Sequence, residues 1–134
     1  MRSRLARVYF GLQSLAVIAW WLTLWLRPEW RVSFLPKASS DAALLGFAPG
    51  DVIMLGVLSA VVASLGNASR VRRALAWLVA GATVYGAIYT VTLAVTGAAP
   101  VIGALLMVPA GVACIFAAFA LDDDVSAVPT GGTR

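Results

Sequence analysis

The sequence predicts an all-α membrane protein: a bundle of four transmembrane helices with both termini inside and a longer outer loop between helices one and two. Three observations predict it. The 134 residues are 61% hydrophobic and only 12% charged, against roughly half and a quarter in an ordinary soluble domain. The apolar residues gather into blocks of up to about twenty, the length that crosses a hydrocarbon core of roughly 30 Å. The charged residues stand at the ends of those blocks. A soluble enzyme and a nucleic-acid-binding domain are excluded, and the net charge of +4 is read as a topology signal rather than as a site for a polyanion.

The spans are expected at about 8–26, 51–66, 74–96 and 101–121, forming a domain over 1–121. The first is too long for a signal-peptide core, and Arg27-Pro28-Glu29-Trp30 follows where small cleavage-site residues would stand. The second is short unless Leu44, Leu45 and Phe47 extend it. Ser40 and Asp41 suit the cap of a short interfacial or re-entrant helix, and Pro49-Gly50-Asp51 then reads as a break with Asp51 as N-cap of the main span. The third and fourth spans are long enough without help. Residues 122–134 are small and polar, and a disordered cytoplasmic tail is expected. Asp122, Asp123 and Asp124 oppose the helix dipole, so the last helix is expected to stop by Leu121. These carboxylates are read as a solvated run, with a loose pairing to Arg70, Arg72 and Arg73 as the alternative.

Orientation comes from basic residues near the spans. Arg2, Arg4, Arg7, Arg70, Arg72 and Arg73 lie on one side, and Arg27, Arg31 and Lys37 on the other. Both termini are therefore placed in the cytoplasm of a bacterial plasma membrane. The bacterial origin rests on the preference for Arg over Lys and on the Ala, Val and Gly content. Asn67-Ala68-Ser69 matches a glycosylation sequon but falls on the cytoplasmic side.

Projection at 100° per residue separates the helix faces. In helix three, Ala80, Thr83, Ala87, Thr90, Ala94 and Gly97 form a stripe of small residues, matched by Gly56, Ser59, Ala60 and Ala63 in helix two and by Gly103, Ala104, Ala110 and Gly111 in helix four. Helices in lipid associate through close backbone approach past small side chains, so Gly56, Ala60, Ala80, Thr83, Ala87, Gly97 and Gly111 are taken as packing positions. Tyr85, Tyr89, Thr92 and Thr96 form a further face. Helix one offers a partner face in Tyr9, Gln13, Ala16, Trp20, Thr23 and Arg27, so a polar seam is expected. It serves either to fasten the bundle by hydrogen bonds or to line a ligand site through Gln13, Trp20, Tyr85, Tyr89 and Arg27. Trp20, Trp21, Trp25 and Trp30 read first as an interfacial belt, and alternatively as a stacking site for a lipid headgroup or quinone-like ring.

Much chemistry is excluded by residue type. There is no histidine and one cysteine, Cys114, so zinc sites, haem ligation by His, disulfides and His-based triads have no material. No cofactor and no metal are expected. Asp51 and Glu29 are the outer-face acids available for catalysis. Three functions remain: an accessory or assembly subunit of a larger membrane complex, a small dimeric transporter or binder of a hydrophobic or uncharged solute, and a lipid- or quinone-modifying enzyme using the outer-face acids. The partners expected are the bilayer and a membrane protein or second copy, with no nucleic acid.

Overall fold

A computed structural model describes residues 2–31, 41–65 and 69–126. It contains α1 (Arg2–Leu26), a single turn α2 (Pro28–Arg31), α3 (Asp41–Asp51), a π-helical segment (Val52–Val57), α4 (Leu58–Ser64), α5 (Arg70–Val95) and α6 (Ile102–Ser126). Among the described residues there is no strand. Four helical stretches are long and apolar enough to cross a membrane: Arg2–Leu26, Leu45–Ser64, Arg70–Val95 and Ile102–Asp122. The protein is a multi-pass helical membrane protein, as composition and block length required.

The spans form a ring. α1 packs on α4 and α6, and α5 packs on α4 and, most extensively, on α6. Ala6 and Phe10 of α1 share one buried cluster with Val62 of α4, Ala76, Val79 and Ala80 of α5, and Cys114, Ala117, Ala118 and Leu121 of α6. Early residues of the first and third spans therefore meet late residues of the second and fourth, which requires alternating directions. That shared level is the termini end of the bundle; the opposite one is the loop end.

The small-residue stripe of α5 packs as expected, with Ala80, Thr83 and Ala87 buried. A Cβ on Gly111 would sit 3.6 Å from the Ala87 Cβ and 3.7 Å from the Val84 Cα. Gly56 faces Val17 and Ile18 of α1. Ala60 differs from expectation: it is exposed, because the buried arc of α4 centres on Ser59 and Val62. Gly97 differs as well. It has φ +68° and ends α5, its N–H bonding the Ala94 carbonyl while Ala98 N–H bonds Leu93. That is the double bond of a glycine-terminated helix end, and it explains the glycine without any packing role.

The second span is where the structure departs furthest from the sequence pattern. The chain does not break at Pro49-Gly50-Asp51; α3 runs through Pro49 and continues into the π segment and α4. A proline in a helix removes one hydrogen bond, and wider π turns one turn downstream are a familiar adjustment in the ladder. Asp51 has helical angles, φ −63° and ψ −45°, and its side chain makes no capping bond. It is an internal residue of a span that begins at Leu45, not an N-cap. Ser40, Lys37 and Asn67 lie outside the described residues, as does the tail beyond Ser126.

α6 also continues past Leu121 to Ser126. Asp122 accepts from Trp77 Nε1 at 2.9 Å and lies 3.2 Å from Arg73 Nε, so its charge is offset across the α5–α6 contact rather than left against the dipole. Trp77 stacks edge-on against Phe119 at 4.8 Å. The pairing with the α5 arginines is thus made at Asp122.

Gly111→Ile should lower the unfolding temperature in detergent by several degrees, the consequence of about 1–3 kcal/mol of overpacking against α5. Gly46→Ala, whose added Cβ meets nothing within 4 Å, should not. Equal melting of the two variants would refute the α5–α6 packing described here.

Candidate functional site

Two groups of polar residues lie within the membrane-spanning length. The first is at mid-bundle. Gln13 on α1 is buried and its Nε2 donates to Thr83 Oγ1 at 3.2 Å. This bond runs diagonally through the ring between α1 and α5, which are not ring neighbours. Thr83 in turn donates to the Val79 carbonyl at 2.8 Å and lies 3.9 Å from Cys114 Sγ. Tyr9, one turn before Gln13, donates to the Ala110 carbonyl of α6 at 2.8 Å. Gln13 Oε1 and Ser59 Oγ are buried without a hydrogen-bond partner.

Gln13 therefore meets the small-residue face of α5, not the tyrosine face. The expected seam with Tyr85 and Tyr89 is not formed. Tyr85 is 71% exposed on the outside of the bundle, and Tyr89 stacks on Phe47 of α3 at 6.0 Å. Thr92 and Thr96 donate to Ile88 and Thr92 carbonyls on their own helix, so they need no partner face. Sequence projection missed Thr83 as a member of the polar group because a threonine in a small stripe reads as a packing position, and Cys114 because a lone cysteine in an apolar block carries no pairing signal.

The second group is at the loop end. Asp51 is half-buried, and its carboxylate neighbours the indole of Trp21. Trp21 is buried, and its Nε1–H makes no hydrogen bond of normal geometry. Trp20 is half-buried and Trp25 is exposed. The Trp21 ring also walls an apolar groove of about 360 Å³ between α1 and the second span. Above it, Arg27 pairs with Glu29 at 3.5 Å, both well exposed. Arg31 donates to the free carbonyls of Leu24 and Trp25 at the end of α1, the usual way a basic side chain finishes a helix. Glu29 and Asp51 thus have different neighbours, Arg27 for one and Trp21 for the other. Among the described residues no three His, Cys, Asp or Glu side chains are grouped to hold a metal ion.

At the termini end Arg72 is 1% exposed, the largest fully buried side chain of the bundle. Nothing in its neighbourhood in sequence distinguishes it from the exposed Arg70 and Arg73 except helical phase. No protein-family model matches the chain, and no curated protein or solved structure matches it either.

The mid-bundle bond gives an ordering of stabilities. Thr83→Val leaves the whole Gln13 amide unpaired and should cost about 1–3 kcal/mol. Gln13→Leu removes the amide with its orphan carbonyl and should cost no more than about 0.6 kcal/mol. Adding Gln13→Leu to Thr83→Val should recover stability in thermal unfolding, and a double variant weaker than Thr83→Val would refute the pairing.

Proposed function

We propose that the chain is an accessory or assembly subunit of a larger membrane complex, seated in a bacterial inner membrane with both termini in the cytoplasm. The observation that carries this reading is Tyr85. Its ring stands on the outer surface of α5, well within the span, and among the described residues its hydroxyl has no hydrogen-bond partner. An unpaired hydroxyl out of water costs about 1–3 kcal/mol. A helix of a second membrane protein that offers an acceptor removes that cost, whereas lipid tails cannot.

The surface around it supports the same reading. A shallow groove of about 300 Å³ runs between α5 and α6, edged by Val84, Ile88, Val108 and Val112, with Ala87 and Gly111 along it. A small-residue floor with β-branched edges is a surface on which another helix seats closely. At mid-bundle, by contrast, Gln13 bonds Thr83 and Tyr9 bonds the Ala110 carbonyl. Neither this groove nor the one between α1 and the second span is lined by Gln13, so neither supports the solute-binder reading.

A photo-crosslinking residue at position 88, exposed one turn beyond Tyr85, should capture a second membrane protein that also co-purifies in near-stoichiometric amount with the unmodified chain in mild detergent. Tyr85→Phe should reduce the co-purified yield severalfold. Adducts to lipid alone, with migration as a lone monomer, would overturn the reading.

A further inference from the structure

We propose that one water molecule is bound at mid-bundle between α1 and the second span, donating to Gln13 Oε1 and accepting from Ser59 Oγ. The site does not rest on the subunit reading, and its test uses the chain alone, so either can fail without the other.

Two atoms carry the inference. Gln13 is 8% exposed and Ser59 0%, and the Oε1 of one and the Oγ of the other have no hydrogen-bond partner in the protein. Buried polar groups are paired, with protein or with ordered water, in all but a few cases. The Gln13 amide is already committed on its other side, where Nε2 donates to Thr83 Oγ1 at 3.2 Å. Oε1 therefore needs a donor from elsewhere.

The state of Ser59 has a local cause. Thr23, Thr83 and Thr92 each donate to the carbonyl four residues back on their own helix, which is how a hydroxyl is ordinarily satisfied inside a span. Ser59 makes no such bond. It follows directly on the π segment, where the Leu58 N–H bonds the Ile53 carbonyl five residues back. The wider turn shifts the carbonyls out of the α spacing and leaves this hydroxyl for a partner inside the ring.

The two side chains belong to neighbouring helices at one level. A Cβ on Gly11 would lie 4.0 Å from the Ala63 Cβ, and one on Gly56 would lie 3.6 Å from Val17 Cγ1. Gln13 stands between Gly11 and Val17 on α1, and Ser59 between Gly56 and Ala63 on the antiparallel second span, so they meet at the same height. Both are directed inward: Ser59 lies in the buried arc of α4, and Gln13 crosses the ring to Thr83. They do not bond each other. A water between them spans up to roughly 5 Å with two hydrogen bonds, and buried waters characteristically join groups that are otherwise unsatisfied. One of its hydrogens meets Oε1, which accepts only, and its oxygen takes the Ser59 hydroxyl proton. An apolar occupant answers neither group. With Thr83 and Cys114, 3.9 Å apart, the water completes a polar layer to which all four spans contribute.

Gln13 is the only glutamine of the chain, so isotope labelling of glutamine gives its amide a resonance pair of its own. NMR on the full chain in deuterated detergent should show cross-relaxation between water and the Gln13 Nε2 protons. Ser59→Val, which replaces the hydroxyl by methyl groups, should reduce that peak severalfold. Thr92→Val, which removes a hydroxyl bonded to its own helix on the outside of the bundle, should leave it unchanged. Where Ser59→Val does not fold, a crystal structure of the wild type at a resolution that shows ordered solvent decides, with one solvent peak expected within hydrogen-bond distance of both Gln13 Oε1 and Ser59 Oγ. No cross-relaxation in the wild type, a peak undiminished in Ser59→Val, as exchange through the Thr83 hydroxyl would give, or the two side chains bonded directly with no solvent peak would each overturn the proposal.

Discussion

The close approach of α5 to α6 is the interaction on which the bundle depends. In a bilayer there is little hydrophobic gain from bringing two apolar helices together, so contact distance decides association. Ala87 opposite Gly111 and Thr90 opposite Gly103 let two backbones meet where bulkier residues would hold them apart. α1 then closes the ring with directed bonds, from Tyr9 to the Ala110 carbonyl on α6 and from Gln13 to Thr83 on α5. Those bonds have partners only because α5 and α6 already present them side by side.

Packing is not uniform along the axis. The buried cluster that contains Phe10, Val62, Val79 and Leu121 occupies the termini end. At the loop end the second span carries Pro49 and then a π segment, and an apolar groove separates it from α1. A π segment widens the helix and leaves its hydrogen-bond ladder poorer, so this end is held by fewer tight contacts. Trp21 and Asp51 meet at this same end, Asp51 standing immediately before the π segment.

Much of this was readable from residue order alone, and the reasons for the failures are physical. Length and composition settled the number of spans. The stripe Ala80, Thr83, Ala87 was recognisable because a period of 3.6 over a long helix averages out local exceptions. Periodicity says which residues share a face, but not which face is inside. Tyr85, Tyr89, Thr92 and Thr96 do share one, and it points outward, the threonines being satisfied by their own helix. Ser59 rather than Ala60 centres the face of α4, a rotation that a seven-residue helix joined to a π segment does not reveal in sequence. Pro-Gly-Asp resembles a helix break followed by a cap, and nothing local in the sequence announces that the helix runs on through Pro49. The end of α6 was misplaced because the partners of Asp122, Trp77 and Arg73, come from another helix.

The relocation of Asp51 changes what the chain can do. As a cap at the mouth of a span it would be explained by the backbone it serves. Inside a span that starts six residues earlier, about 9 Å from the end at the helical rise, it is a carboxylate in a region where the other charged side chains have been moved to the ends. Such a group is tolerated near a span terminus because water and headgroups still reach it, and its cost rises steeply with depth. Among the described residues the bundle offers it an indole N–H and no ion pair. At mid-bundle Gln13 bonds Thr83 and Tyr9 bonds the Ala110 carbonyl, while Gln13 Oε1 and Ser59 Oγ stay without a hydrogen-bond partner in the protein. The polar side chains of this chain are therefore divided by depth, with helix-to-helix bonds at mid-bundle and a carboxylate beside an indole towards the loop end.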